Sequence, residues 1–217
     1  MSQQLRWPVI LFDLDGTLAN SIDLIVGAFT SVFRDLVGRE LSRAEICRWI
    51  GEPLLKTMQR EAPDQADELW RTYRAYHETH LADIVGYPGL PELLAELNQA
   101  GAVTGVVTAK RHDASYQTMT QAGVVGLIDL VVAMEDTSAH KPDPEPLLVA
   151  AAKLAASPET CVYVGDSIYD IQAARAAGMA VIAVTWGAGT EEDLNALKPD
   201  ATCASASALR DTLILSK

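Results

Sequence analysis

Val9-Ile10-Leu11-Phe12-Asp13-Leu14-Asp15-Gly16-Thr17 is the stretch on which the reading of this chain turns. Four consecutive apolar residues suit a strand buried on both faces, as in a parallel sheet covered by helices. The run ends abruptly in two aspartates one residue apart, then a glycine and a threonine. Beyond this turn the period changes. Ile22, Ile25, Ala28, Phe29, Val32, Phe33 and Leu36 fall at helical spacing, and Gly38 is placed to end that helix. Ser42 with Glu45 predicts a capping box opening a short helix through Ile50. Leu69, Tyr73, Tyr76, His77 and His80 mark another helical face running to about Leu81. Residues 21–83 therefore read as wholly helical.

After Tyr87-Pro88-Gly89 the pattern alternates. Helices are predicted over 91–100, 112–122, 146–156 and 168–177, and each precedes an apolar strand, at 102–107, 130–133, 161–164 and 179–184. Such repetition predicts an α/β fold with a doubly wound parallel sheet. The helical block interrupts its first β-α step, so it reads as an inserted all-helical cap. The expected division is an α/β core of 1–18 and 84–217 with a cap of 19–83.

Composition limits the function. The chain has 217 residues, 49% hydrophobic and 21% charged, which excludes disorder and a small disulfide scaffold. Seventeen basic against twenty-nine acidic residues leave a net charge of −12. That surface repels phosphate backbones and anionic lipid, so neither nucleic acid nor membrane is expected as a partner. The early apolar run is far shorter than a membrane span or a signal h-region. Cys47, Cys161 and Cys203 are odd in number and widely spaced, which reads as reduced thiols in a cytoplasmic protein.

In an open parallel sheet, ligands sit at the carboxyl ends of the strands. Collected there are Asp13 and Asp15, Thr108, Asp166 and, one turn into the following helix, Asp170, with Lys141 in the loop after the third strand. Three or four carboxylates on one rim cannot all ionise together without a cation. Hard oxygen donors completed by water and phosphate point to Mg²⁺. A lysine and a hydroxyl beside them suit a transferring phosphoryl group. Asp166 and Asp170, four residues apart, are expected on one face of the first helical turn.

Four motifs make the pattern specific. Phe-Asp-Leu-Asp-Gly-Thr-Leu (12–18), Val-Val-Thr (106–108), Lys-Pro-Asp-Pro (141–144) and Val-Gly-Asp-Ser-Ile-Tyr-Asp (164–170) resemble, in order, the motifs of the haloacid dehalogenase-like hydrolases. A helical cap between the first two motifs is also an arrangement of that family. The resemblance implies Asp13 as a nucleophile that takes up the phosphoryl group. It implies Asp15 as the acid that protonates the leaving alcohol and then the base for water. Thr108 and Lys141 would hold the phosphoryl oxygens. The ion would be bound by the Asp13 carboxylate, the Asp15 backbone carbonyl and Asp166, with Asp170 steadying that shell or Lys141. An aspartate at position 15 favours a phosphate ester or anhydride over dehalogenation. Ala109 stands where relatives often carry Asn, which leaves backbone N–H groups and Lys110 as further substrate contacts.

Other readings carry less. His77 and His80 have no carboxylate or cysteine to complete a metal set, so packing is expected of them. Gly187-Ala188-Gly189 lacks the third glycine and the first-strand position of a dinucleotide loop. Gly165-Asp166-Ser167 is not a serine-esterase elbow, because no histidine follows His140. A phospho-acceptor switch would carry adjacent acids on its first strand and its lysine last.

Residues 20–82 hold eight of the seventeen basic side chains. Ile50-Gly51-Glu52-Pro53-Leu54 is similar to the cap turn of phosphoglycolate phosphatases and related pyrophosphatases. The resemblance implies a small phosphorylated substrate, phosphoglycolate-like, with inorganic pyrophosphate as the alternative. Lys56 and Arg48 are the residues expected to recognise its unreacting part.

Overall fold

A computed structural model describes residues 4–215 of the chain; residues 1–3 and 216–217 of the expected core lie outside the described residues. Six parallel strands form the central sheet in the order Leu130–Val132, Val103–Val107, Val9–Phe12, Cys161–Gly165, Ala180–Val184 and Ala201–Cys203. Val9–Phe12 lies between Val103–Val107 and Cys161–Gly165, pairing Phe12 with both Val106 and Val164. That central place explains its unbroken apolar run: Ile10 and Phe12 enter one hydrophobic cluster, and Val9 and Leu11 enter the cluster on the other face.

Helices Leu90–Gln99 and Ala206–Leu213 cover the first face, and Glu145–Lys153 and Ile168–Ala176 the second. The chain order of the strands reverses on either side of Val9–Phe12. Their carboxyl ends therefore open into a crevice beside Asp13.

Between the first two sheet strands the chain is helical except for turns and a two-residue ladder. Ile22–Val32 continues into a wider turn over Phe33–Val37, closed by Gly38 in the left-handed region (φ 69°). The Ser42–Glu45 capping box forms, but its helix stops at Cys47 rather than Ile50. The residues after it instead make the turn that leads through Gly51 (φ 109°), a conformation strained for other side chains. Leu54–Glu61 and Ala66–Thr79 complete the block. Its interior is a separate cluster in which Phe29 meets Tyr73 and Trp49 edge-on, at ring centroid distances of 5.1 and 5.6 Å. Ala19–Asn20 pairs antiparallel with Val85–Gly86 where this block leaves and rejoins the sheet.

Candidate active site

Asp13 follows the last residue of Val9–Phe12 directly, and its N–H donates to the Val164 carbonyl at 2.9 Å. That bond extends the sheet by one residue and fixes the carboxylate at the strand end. The chain then turns through Leu14, whose carbonyl accepts from Thr17, Leu18 and Ala19. Gly16 at φ 79° permits the turn, and a Cβ there would strike the Asp166 carboxylate.

Lys141 is buried behind Asp13. Its Nζ lies 2.9 Å from Asp13 Oδ1 and 2.7 Å from Asp170 Oδ1, and donates to Tyr163 Oη at 3.0 Å. The Tyr163 hydroxyl in turn donates to the Val107 carbonyl at 2.9 Å. Burial alone would lower the lysine's pKa, but the carboxylates of Asp13 and Asp170 outweigh it and hold the ammonium charged.

Asp166 ends the Cys161–Gly165 strand and precedes the N-cap Ser167 of the next helix. It accepts from Thr17 Oγ1 at 2.9 Å and from the Ala188 N–H at 2.7 Å. The Gly187-Ala188-Gly189 loop is thus a brace for this carboxylate, not a dinucleotide loop. Asp170 occupies the third helical position, where its Oδ2 accepts from the Ser167 N–H and hydroxyl at 2.9 and 2.6 Å. The expected common helical face for Asp166 and Asp170 is therefore corrected. Only Asp170 is in the helix, and the capping box turns its carboxylate back toward Lys141.

Asp13, Asp166 and Asp170 each bring one carboxylate oxygen within 4.8 Å of the others. Burial, then the neighbouring Lys141 and Asp170 charges in opposition, leaves the Asp13 carboxyl pushed up to about 7. Asp166 is driven well above the usual carboxylate range by burial and by the Asp170 and Asp13 charges. One lysine against three buried carboxylates leaves negative charge uncompensated. The donor set, all hard oxygen, fits a divalent cation such as Mg²⁺.

Asp15 is turned away from that cluster. Its Oδ1 accepts from Lys110 Nζ at 2.7 Å and from the Ser21 hydroxyl at 2.5 Å. Burial raises the Asp15 pKa, yet Lys110 and the two hydrogen bonds override it and bring the net shift below the usual value. Thr108, 6% exposed, is anchored by its N–H on the Val132 carbonyl at 3.0 Å. Its hydroxyl accepts from the Lys110 N–H at 3.2 Å. Asp13, Asp15, Thr108, Ala109 and Lys110 all face a cavity of about 210 Å³ roofed by the helical block.

Lys56 and Arg48 are exposed and do not line this cavity. Instead Arg74, Lys110 and Arg111 face it, and so does His77. His77 is buried and stacks on Tyr73, while His80 stacks on Tyr76 and bonds its backbone carbonyl, so the two imidazoles do not converge. Burial, then the positive charge of Lys110, lowers the His77 pKa to about 4, and the ring is neutral near pH 7. The sequence assigns no role to Ser21 or Tyr163, and although Thr17 lies in the 12–18 motif and Gly187 in a glycine pair after a strand, their support of Asp166 is visible only in the fold.

A Cβ on Gly187 would collide with the Asp166 carboxylate. Gly187→Ala is expected to lower kcat by about 10- to 100-fold, the usual cost of disturbing a ligand's support. Steady-state kinetics with Tm measured in parallel tests it; unchanged kcat would show that Asp166 has room to move.

The family model described as haloacid dehalogenase-like hydrolase matches residues 10–184. Pyrophosphatase PpaX of Bacillus velezensis is 33% identical over 90% of this chain and 91% of its own. The corresponding protein of Bacillus pumilus is 34% identical over 88% and 89%. Among solved structures, a predicted phosphoglycolate phosphatase from Haemophilus somnus superposes with a TM-score of 0.84 at 26% identity, covering 95% of this chain and 97% of its own. A hydrolase from Pseudomonas syringae gives 0.84 at 27%, covering 95% and 96%. The match spans the helical block as well as the sheet, and with it the strand-end aspartates, the threonine and the lysine. The chain belongs to the haloacid dehalogenase-like hydrolases.

Proposed function

We propose that the chain hydrolyses the phosphate monoester of a small metabolite through an aspartyl-phosphate on Asp13. The observation that supports it most is the placement of Asp13. It is buried at a strand end, 2.9 Å from the Lys141 ammonium, beside Asp166, and it faces a cavity that also presents Asp15 and Thr108.

In this reading an Asp13 oxygen attacks phosphorus, and the bond from phosphorus to the leaving oxygen breaks. The departing alkoxide takes the proton of Asp15. Water then attacks the phosphorus of the acyl phosphate, gives a proton back to Asp15, and releases inorganic phosphate with the Asp13 carboxylate restored. Lys141 favours the ionised form of Asp13 against the burial that raises its pKa, and offsets charge on the phosphoryl oxygens, and Thr108 donates its hydroxyl to one of them. Asp170 positions Lys141. Mg²⁺ would be held by Asp13, Asp166 and the Asp15 backbone carbonyl, and when bound it supplies charge neutralisation to the phosphoryl group. The helical block, a cap over the site, excludes water and selects the substrate.

The test is phosphate release from a panel of phosphorylated metabolites with Mg²⁺ and with excess chelator. Hydrolysis only with the ion is expected; full activity in chelator would remove the metal from the reading. Pyrophosphate belongs in that panel, because the relatives named pyrophosphatase PpaX cover most of this chain.

Lys110 bears on the acid step. Its ammonium favours the ionised form of Asp15, whereas donating a proton requires the neutral form. Removing that charge raises the Asp15 pKa, so the acid form persists to higher pH. Lys110→Met is therefore expected to move the alkaline limb of the kcat–pH profile upward. An unmoved limb would mean that Asp15 is not the proton donor it reports.

A further inference from the structure

The roof of the cavity has a character that phosphoryl chemistry does not call for. Phe29, Trp49, Trp70 and Tyr73 face it together with Leu54 and Leu55, an aromatic and aliphatic wall contributed by the helical block, whereas Asp13 and Asp15 belong to the sheet side. Such a wall is favourable only against apolar surface removed from water.

The charged groups around the cavity point the same way. Five carboxylates line it (Asp13, Asp15, Glu52, Glu78 and Asp113), against three cations. Each of those cations already has a partner. Lys110 is on Asp15 at 2.7 Å; Arg74 is on Asp113 at 3.0 Å and Glu78 at 3.5 Å; Arg111 is within 3.6 Å of Asp113 and 3.7 Å of Glu135. A second anionic group, whether another phosphate or a carboxylate, needs charge-assisted donors where it sits. Among the described residues lining this cavity, no cation is without a carboxylate within 3.7 Å. Among the polar groups lining it is the neutral imidazole of His77, whose buried Nε2 has no hydrogen-bond partner among the described residues.

We infer that the preferred substrate is the phosphate monoester of a bulky apolar or aromatic alcohol that carries no second anionic group. This rests on the phosphatase reading above and narrows it. The phosphate enters at Asp13 and Thr108, and the leaving group lies against the indole and phenyl rings. A neutral hydroxyl or amide on that leaving group is the partner His77 lacks. Phosphoglycolate and pyrophosphate would each bring a second negative charge toward a wall whose described cations already face carboxylates.

Four substrates assayed with Mg²⁺ separate the possibilities: phenethyl phosphate, ethyl phosphate, phosphoglycolate and pyrophosphate. The first two share an unactivated alkyl leaving oxygen, so their difference reads the pocket and not the chemistry. Burying a phenyl-sized surface predicts about a hundredfold higher kcat/KM for phenethyl over ethyl phosphate. Phosphoglycolate and pyrophosphate are expected at or below ethyl phosphate. Trp70→Ala is expected to shrink the phenethyl-to-ethyl ratio by about tenfold; Tm reports whether that variant folds, and the wild-type ranking decides without it. Phosphoglycolate or pyrophosphate ranking above phenethyl phosphate overturns this inference and leaves the phosphatase reading standing. Hydrolysis of none of the four overturns both.

Discussion

Asp13→Asn protein, assayed with Mg²⁺, is expected to lose about 10⁴-fold or more in kcat, because the amide cannot form the acyl phosphate. The fold should survive the change, and the sign of its stability effect can be worked out. In the fold, burial pushes the Asp13 carboxyl from 3.8 up to about 7. A carboxyl raised in this way contributes stability that is complete below its unfolded pKa and lost as pH rises through the folded one. In chelator, then, the wild-type protein should weaken between about pH 4 and 7 through this group, and the asparagine variant should not. The difference in Tm between the two should grow in the variant's favour across that window. Lys141 keeps its bond to Asp170 in the variant, at 2.7 Å in the wild-type geometry, so the lysine is not orphaned. Turnover near the wild-type rate would end the nucleophile assignment. A flat Tm difference across that window would show that Lys141 alone compensates Asp13.

The fold was legible where the hydrophobic period was strong. Val9–Phe12 and Cys161–Gly165 are buried throughout, and unbroken apolar runs of that length have few other uses. Ala201–Cys203 escaped notice because three residues carry no period, and its middle residue Thr202 is exposed at the sheet edge. The two-residue ladder of Ala19–Asn20 with Val85–Gly86 is likewise below what a pattern can show. Asp13, Asp15, Thr108, Lys141, Asp166 and Asp170 are legible as a group because short motifs carry them at strand ends or in the loop or helical turn that follows. Their supports are not. Thr17 reaches Asp166 across 149 residues, and Tyr163 reaches the Val107 carbonyl across 56, contacts that no local pattern encodes. Lys56 and Arg48 lie close in sequence to the Ile50–Leu54 turn. The rotation of Leu54–Glu61 buries Thr57 and Met58 and sends Lys56 outward, so sequence distance misled where helix phase decides. His77 was read as packing. It is buried against Tyr73, but its neighbours include the cavity, and only the assembled fold shows that.

Lys141→Met should cost more stability than any other single change at the site. The side chain is 2% exposed, its ammonium lies between Asp13 and Asp170, and Tyr163 takes the third hydrogen bond. Methionine matches the stem in length and apolar character, so the loss is almost wholly electrostatic. Removing one partner of a buried ion pair costs about 3–5 kcal/mol, because the opposite charge stays buried without compensation. For a chain of this size that is roughly 10 °C in Tm. Activity should fall as well, by about 10²–10³-fold in kcat/KM, the usual effect of losing a donor aimed at developing charge. The two losses have different origins, and a second substitution separates them. Asp170 holds Lys141 and stands beside Asp13 and Asp166, so adding Asp170→Asn to Lys141→Met removes one uncompensated carboxylate and should return about 1–2 kcal/mol. It should return no activity, because the cation at Asp13 is still missing. If Lys141→Met unfolds less than about 1 kcal/mol more easily than wild type, the buried carboxylates are protonated without it, and Lys141 is not their counter-charge. If the double variant regains activity along with stability, Lys141 acts by holding the site together and not on the phosphoryl group.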